Sequence, residues 1–240
     1  MAHKGYHNAE GRRIPGVTTI TGRYGDKGAL LWWANQVGLG EHESCDFQPV
    51  CPKCNRRKGL TQQEASRPAA TMGTLAHDLI EQHIFHADGK EYTIDQSEFA
   101  HLTDDEYATS EQCAESFKTW FKNYDVQIVS TELGLVSEEY QFGGRLDATA
   151  MIGGKFVLLD WKTSKGIFES YISQLAGYVI LLEENGQPQV QELHILRVSK
   201  DTGGFEHRMW PREKVQIAID HFIHCRKLYE MDKKLKALLK

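Results

Sequence analysis

The sequence predicts an α/β protein with a central mixed β-sheet flanked by helices. Two long helical segments, at residues 61–89 and 104–125, precede the main strand-rich part of the chain. Three strand-like segments follow in close succession, and then a helix, further strands and a helical end. This order of elements argues for one domain, residues 1–240, with a small loop lobe inserted at residues 41–59.

Composition sets the broad class of the protein. The chain has 240 residues, 40% of them hydrophobic, and a formal net charge of −5. That length suffices for one hydrophobic core. The negative net charge gives no indication of nucleic-acid binding, although a local basic face is compatible with it. No segment approaches the roughly 18 apolar residues of a membrane helix, and the first residues lack the apolar core of a signal peptide. We expect a cytoplasmic protein.

The first half of the chain is predicted to hold four elements. Residues 14–25 (IPGVTTITGRYG) are rich in β-branched residues and are expected to be extended. Residues 29–38 have the pattern of a short apolar helix that ends at a glycine. The helix at 61–89 carries an apolar stripe from which His77 is displaced, and the helix at 104–125 has an aromatic apolar side.

The second half is predicted to form most of the sheet. Residues 126–137, 143–152 and 155–163 are expected to form an antiparallel meander, with Gly153-Gly154 as the hairpin turn between the last two strands. The remaining elements are a helix at 170–185, strands at 191–201 and 203–210, and a helical end at 211–240.

The last hairpin of the meander carries charges where a buried sheet should be apolar. With the turn at Gly153-Gly154, a regular register places Asp147 opposite Asp160, with Cβ atoms roughly 4.5–5.5 Å apart. Two carboxylates so placed repel each other, and their burial is costly unless a positive charge lies between them. Hard carboxylate oxygens suit Mg²⁺ or Mn²⁺.

Lys162 extends this pattern. It lies two residues beyond Asp160 and therefore on the same face of the strand. An ammonium group beside a metal-bound water can hold the water, help to deprotonate it, or stabilise charge on a phosphate. Two metal-binding carboxylates with an ammonium group beside them are typical of sites that hydrolyse phosphodiesters. The alternative is an exposed edge hairpin with ordinary salt bridges.

The stretch GGRLD…LLDWKTSKG resembles the core motif of the PD-(D/E)XK nuclease superfamily, and within it the RecB-like exonucleases. That group includes CRISPR adaptation nucleases, mitochondrial genome maintenance exonucleases and many phage exonucleases. Further matches follow the same order along the chain, from about residue 14 to residue 200. They are PGVTTITG near the N-terminus, GTLAH around His77, Glu132 on the preceding strand, and the Gln-x-x-x-Tyr pattern of Gln174 and Tyr178.

The resemblance implies a restriction-endonuclease-like core and a role for each matching residue. His77, Asp147, Asp160 and the backbone carbonyl of Trp161 would hold the Mg²⁺ or Mn²⁺. Lys162 would act on the attacking water, and Glu132, for which Glu138 and Glu139 are alternatives, would hold a second metal or a water. Gln174 and Tyr178 would lie along the DNA path, although the helical spacing of Tyr178 with its apolar neighbours also fits a packing residue. The family's usual acidic residue two before the lysine is Glu, whereas this chain has Asp160; Asp is also accepted there.

The activity that the resemblance implies is a metal-dependent DNA exonuclease of phage type, which would work from DNA ends in recombination, repair or replication. A phage-encoded protein of this kind would lie in the host cytoplasm. A structure-specific or sequence-specific endonuclease of the same fold is one alternative, and a catalytically inactive DNA-binding protein is another. The implied partners are DNA and either a single-strand annealing or binding protein or a helicase. No membrane partner is expected, and the oligomeric state stays open.

The lobe at residues 41–59 has the spacing of a metal site. His42, Cys45, Cys51 and Cys54 form two pairs, each separated by two residues, which would satisfy tetrahedral Zn²⁺. An iron–sulfur cluster is the alternative cofactor, although RecB-like nucleases with a cluster place three of their cysteines after the nuclease core. Free thiols on a loop are the third alternative. The basic run that follows could contact phosphates or simply be solvated; it comprises Arg56, Arg57 and Lys58.

Overall fold

A computed structural model of the chain describes residues 5–24, 62–87, 89–199 and 204–239. The helices are α1 Val17–Tyr24, α2 Gln62–Ala87, α3 Asp104–Asn123, α4 Glu169–Glu184 and α5 Gln216–Ala237. The strands are β1 Tyr6–His7, β2 Arg13–Ile14, β3 Gln127–Ser137, β4 Phe142–Ile152, β5 Lys155–Thr163, β6 Glu192–Val198 and β7 Phe205–Pro211.

The long strands form one mixed sheet in the order β3-β4-β5-β6-β7. Neighbouring strands are antiparallel except β5 and β6, which are parallel and are connected by the crossover helix α4. The turn between β4 and β5 falls at Gly153 and Gly154, whose φ angles of +56° and +77° belong to the left-handed region that glycine tolerates. The predicted fold class, the meander and its turn are confirmed.

Helices cover both faces of the sheet. Leu158 of β5 packs into a cluster with α4 and α5, whereas its neighbours Val157 and Leu159 pack against Phe117 and other apolar residues of α2 and α3. Because both faces of β5 are buried, its apolar residues form a continuous run rather than an alternating one. The charges at the end of β5 therefore follow directly on the most buried part of the core.

The predicted extended segment at residues 14–25 is wrong over most of its length. Ile14 belongs to the two-residue strand β2, but α1 begins at Val17. Val17, Ile20 and Thr21 are buried on one side of this helix, which packs against α4 and α5. Their spacing of three and four residues fits a helix, so tertiary burial overrides the strand preference of β-branched side chains.

The remaining predicted elements lie close to their expected bounds. Helix α3, for example, begins after a capping box in which Thr103 and Glu106 satisfy each other's backbone N–H groups. The predicted helix at 29–38 and the lobe at 41–59 lie outside the described residues. Among the helices that the structure describes, none is both long and apolar enough to cross a membrane.

Candidate active site

The sequence register between β4 and β5 is confirmed, but it stops one pair short of the two carboxylates. Ala148 pairs with Leu159, and the ladder continues from there to the turn. Asp147 pairs with no residue of β3 or β5, although its neighbours in β4 do. Its side chain instead accepts a hydrogen bond from the Trp161 backbone N–H, with a distance of 3.0 Å to Oδ2. The regular pairing of β4 and β5 therefore ends just before the expected pair of Asp147 and Asp160. In its place, the Asp147 carboxylate is hydrogen-bonded to the β5 backbone.

Asp160 is the most buried charged side chain of this site. It is 1% exposed, and among the described residues neither of its carboxylate oxygens has a hydrogen-bond donor other than Lys162. Lys162 Nζ lies 2.7 Å from Oδ2 in an ion pair, and the Lys162 side chain is only 16% exposed. Buried carboxylates almost always have hydrogen-bond donors around them, so this one is poised for a further positive group.

The protonation equilibria of the three groups follow from their burial and proximity. Burial raises the pKa of Asp147 and of Asp160 to about 6, and the positive charge of Lys162 opposes that rise in both. Burial disfavours the charged form of Lys162, but the charges of Asp160 and Asp147 outweigh it and raise the lysine's pKa. Lys162 is therefore an ammonium group at neutral pH.

His77 reaches this centre from α2. Its ring lies 6.0 Å from the Trp161 indole in an edge-on contact, measured between ring centroids, and its positive charge, when protonated, acts on Asp160. The structure thus brings His77 together with the residues that the sequence grouped with it. The Trp161 peptide lies against Asp147 through its N–H, whereas the role of its carbonyl as a metal ligand stays a prediction.

Gln174 and Tyr178 lie on one face of α4, as their spacing predicted. Gln174 Nε2 donates to the Tyr178 hydroxyl at 2.8 Å. Burial raises the pKa of Tyr178, and the negative charges of Asp160 and Asp147 raise it further. The phenol therefore stays protonated close to the carboxylates. Lys162 Nζ lies 5.3 Å from the centroid of another tyrosine ring, that of Tyr171.

Glu132 lies beside the centre with a partner that the sequence did not single out. That partner is Glu81 of α2, which is buried and hydrogen-bonded to Glu132. Burial, followed by the contact with Glu81, raises the pKa of Glu132 to about 7, and Arg145 opposes the rise from 2.5 Å away. Glu81 lies four residues after His77 on the same helix face, and this spacing is the signal that could have found it.

Glu132 also has an unusual backbone. Its φ angle of +49° lies in the left-handed region that favours glycine. Glu132 and Asp147 would be partners in the β3–β4 ladder, but the pairing skips them and resumes on either side. The irregular backbone therefore coincides with the carboxylates, as is common where a fold stores strain at a functional site.

The donor set fits a hard divalent cation. The carboxylates of Asp147 and Asp160 provide the hard oxygen ligands that suit Mg²⁺ and Mn²⁺, and the imidazole of His77 lies beside them. Within the described ranges, no three His, Cys, Asp or Glu side chains converge into a ready-made metal cage. That is compatible with Mg²⁺, which usually keeps several waters and uses one or two carboxylates.

Seven predicted site residues lie outside the described part of the chain. They are the zinc ligands His42, Cys45, Cys51 and Cys54, and the basic residues Arg56, Arg57 and Lys58.

The raised pKa of Asp160 predicts a specific pH dependence of stability. Between about pH 4 and pH 6 the folded metal-free protein keeps a proton that the unfolded chain releases, so its stability falls as the pH rises through this window. The contribution is on the order of 3 kcal/mol, for a rise of the pKa from 3.8 to about 6. Asp160→Asn should flatten this part of the profile in urea unfolding measured from pH 4 to pH 8. Parallel profiles for the two proteins would contradict the assignment.

Comparison with solved structures gives distant similarity. A candidate exonuclease from Eubacterium rectale is 14% identical with a TM-score of 0.48, and the alignment covers 70% of this chain and 66% of that protein, slightly less than two thirds of its length. The alkaline exonuclease LHK-Exo from Laribacter hongkongensis is 16% identical with a TM-score of 0.32, covering 73% of this chain and 93% of that one. A structure of LHK-Exo with dAMP is 13% identical with a TM-score of 0.33, and the alignment covers 72% of this chain and 97% of that one.

Comparison with sequence families is decisive. No curated protein matches the chain. The model of the PD-(D/E)XK nuclease superfamily matches residues 53–234, which is about three quarters of the sequence. The match spans α2 to α5 and so contains the whole five-stranded sheet and every described residue of the candidate active site. The resemblance found in the sequence motifs is confirmed: the chain belongs to the PD-(D/E)XK nuclease superfamily.

Proposed function

We propose that the protein is a metal-dependent DNA exonuclease of the RecB-like type, acting in DNA recombination, repair or replication. One observation carries the proposal. The buried carboxylate of Asp160 has, among the described residues, no hydrogen-bond donor other than Lys162, with which it is ion-paired, and it lies beside Asp147 where the regular pairing of β4 and β5 ends. Such an arrangement is costly for a structural hairpin and useful for a cation that handles phosphate.

The site would hold Mg²⁺ or Mn²⁺ through His77, Asp147 and Asp160, with the carbonyl of Trp161 as a further ligand. When bound, the ion supplies a coordinated water of lowered pKa and positive charge opposite the phosphate. Asp147 is oriented for this role by the hydrogen bond from the Trp161 N–H.

Lys162 acts as a donor rather than as a free base. Its raised pKa keeps it protonated at neutral pH, so it can hold the attacking water or stabilise the charge that develops on the phosphate oxygens. The buried ion pair with Asp160 fixes the direction of the ammonium group. The tyrosine ring beside it adds a favourable cation–π contact.

Gln174 would contact the DNA strand next to the cleaved bond. Tyr178 is 3% exposed, so its part in DNA binding would be to hold Gln174 in place: its hydroxyl accepts the Gln174 amide hydrogen at 2.8 Å. Because the phenol remains protonated near two carboxylates, this contact would persist over the whole physiological pH range.

Digestion of matched linear and closed circular DNAs tests this function. We expect end-labelled linear DNA to be degraded from its ends in Mg²⁺ or Mn²⁺, with no degradation in EDTA. Covalently closed circles of the same sequence should stay intact, because an exonuclease requires an end. Cleavage of the circle at a rate equal to that of the linear DNA would identify an endonuclease instead, and the absence of cleavage with either metal would refute the nuclease proposal.

We also propose that the lobe at residues 41–59 holds one structural Zn²⁺ through His42, Cys45, Cys51 and Cys54. The support is the ligand spacing alone. Metal analysis should find about one zinc per purified chain, lost in the double variant Cys51→Ser/Cys54→Ser. Cys113→Ser is the matched control, because Cys113 is buried in α3 and should leave the zinc content unchanged. A wild-type protein that is folded without zinc would refute the idea.

A further inference from the structure

A groove lined by the N-terminal hairpin is a candidate ligand-binding surface outside the active site. It has a volume of about 490 Å³ and lies between the β1–β2 hairpin, the start of α1 and the C-terminal half of α5. We call it the N-terminal groove. Its polar and aromatic lining comprises Tyr6, Arg13, Thr18, Thr19, Tyr229 and Lys233.

The charge of the N-terminal groove is opposite to that of the whole chain. The formal net charge of the protein is −5, yet Arg13 and Lys233 line the groove and no carboxylate does so among the described residues. Within the described part of the chain, Arg13 has no ion-pair partner, and Lys233 reaches only Glu230, at 4.0 Å. A groove with positive charge and no carboxylate in its lining favours an anionic ligand.

More positive charge surrounds the Tyr229 ring at the edge of the groove. The cationic groups of Arg23, Arg226 and Lys233 lie 5.8–6.0 Å from its centroid. Arg23 is neutralised by Asp232 at 2.6 Å, and the buried Arg226 is ion-paired with Glu230 at 3.4 Å, so Lys233 is the exposed cation of this group that faces the groove. Thr18 and Thr19 are exposed residues of the lining, and their hydroxyls add hydrogen-bond donors. Cations, hydroxyls and tyrosines in one groove are the groups that bind a single nucleic-acid strand.

Tyr6 connects the groove to the active site. Its ring lies directly on Gly143 of β4, where any larger residue would collide with it, and its hydroxyl is hydrogen-bonded to the Arg145 backbone. Arg145 lies two residues before Asp147, a distance of about 7 Å along a strand. The N-terminal hairpin is held there by the hydrogen bond from the Gly143 N–H to the Pro15 carbonyl at 3.0 Å. A strand that lies in the groove can therefore continue across Tyr6 to the carboxylates.

We infer that the N-terminal groove binds the single strand of DNA that leads to or from the active site, with Arg13 and Lys233 as its phosphate contacts. The inference rests on the proposed nuclease function for its choice of ligand. It assigns a binding role to the hairpin before α1 and to the C-terminal helix, neither of which carries a residue of the candidate active site.

Anisotropy of a fluorescently labelled single-stranded oligonucleotide, measured in EDTA with the full-length chain, tests the inference. Arg13→Ala/Lys233→Ala should weaken binding on the order of tenfold near physiological salt. The slope of log K against log salt should fall by about 1.4, because two phosphate contacts are lost at ~0.7 each on single strands. The matched control is Arg12→Ala/Lys234→Ala, which removes two adjacent exposed cations that do not line the groove.

The outcomes separate the groove from the catalytic proposal. A wild-type affinity in the first variant, or an equal loss in the control variant, would overturn the groove. Cleavage of DNA with Mn²⁺ is measured separately on the same proteins. If Arg13→Ala/Lys233→Ala keeps both the wild-type cleavage rate and the wild-type affinity for the oligonucleotide, the groove inference is wrong but the proposed nuclease function is not affected. A wild type that binds the strand through Arg13 and Lys233 but never cuts it defeats only the proposed function. Unchanged thermal unfolding of both variants confirms that the fold is intact.

Discussion

Lys162→Met is expected to slow DNA cleavage strongly while Mn²⁺ still binds. The ammonium group is the only part of the buried pair that can donate to the attacking water or to the phosphate, and its loss should lower the cleavage rate on the order of 10²–10³-fold. The two carboxylates remain in place, and without the lysine their need for a cation is greater. Cleavage of linear DNA and Mn²⁺ titration are the two measurements.

The matched control for this variant is Lys165→Met. Lys165 is exposed three residues further along the chain, so the same substitution there should leave the cleavage rate close to that of the wild type. A Lys162→Met protein that cuts at the wild-type rate would show that the ammonium group has no catalytic role. A variant that loses Mn²⁺ binding together with cleavage would assign Lys162 to holding the site's geometry instead.

Phe222→Ala is expected to produce the largest loss of stability. Phe222 of α5 is 0% exposed, stacks edge-on to Phe142 with 4.9 Å between ring centroids, and fills the space left by Gly177 in α4. Removing it leaves a cavity where α5, α4 and β4 meet, and should lower the free energy of unfolding by about 3–5 kcal/mol.

Urea unfolding of Phe222→Ala and of a control on the same helix measures this effect. Ile217 is 75% exposed, so Ile217→Ala should change the stability by less than about 0.5 kcal/mol. Equal effects at the two positions would mean that α5 does not pack on the sheet as described. Because α5 carries Lys233, the measurement also shows whether this helix is firmly held beside the N-terminal groove.

The sheet and the core of the site were predictable because their signals are local. The turn at Gly153-Gly154 and the twofold periodicity of strands fix the register between β4 and β5 and place Lys162 on the face of Asp160. The four-residue spacing of Gln174 and Tyr178 likewise fixes their contact on α4. These relations depend on neighbours in the chain and need no knowledge of the tertiary fold.

The features that the sequence did not reveal depend on tertiary packing. Helix α1 was expected to be extended, because its β-branched residues favour strands until burial against α4 and α5 is counted. The opened ladder at Asp147 depends on the hydrogen bond from Trp161, which no periodicity encodes. Glu81 could be linked to Glu132 only once α2 was placed beside β3.

The central claim is that Asp160 and its neighbours bind the divalent ion on which DNA cleavage depends. Parallel measurement of Mn²⁺ binding and of cleavage of end-labelled linear DNA, in the wild type and in Asp160→Asn, tests it most directly. The account predicts that the wild type binds Mn²⁺ and degrades the DNA, and that the folded Asp160→Asn protein does neither at the same Mn²⁺ concentration. Wild-type binding and cleavage in Asp160→Asn would contradict the account.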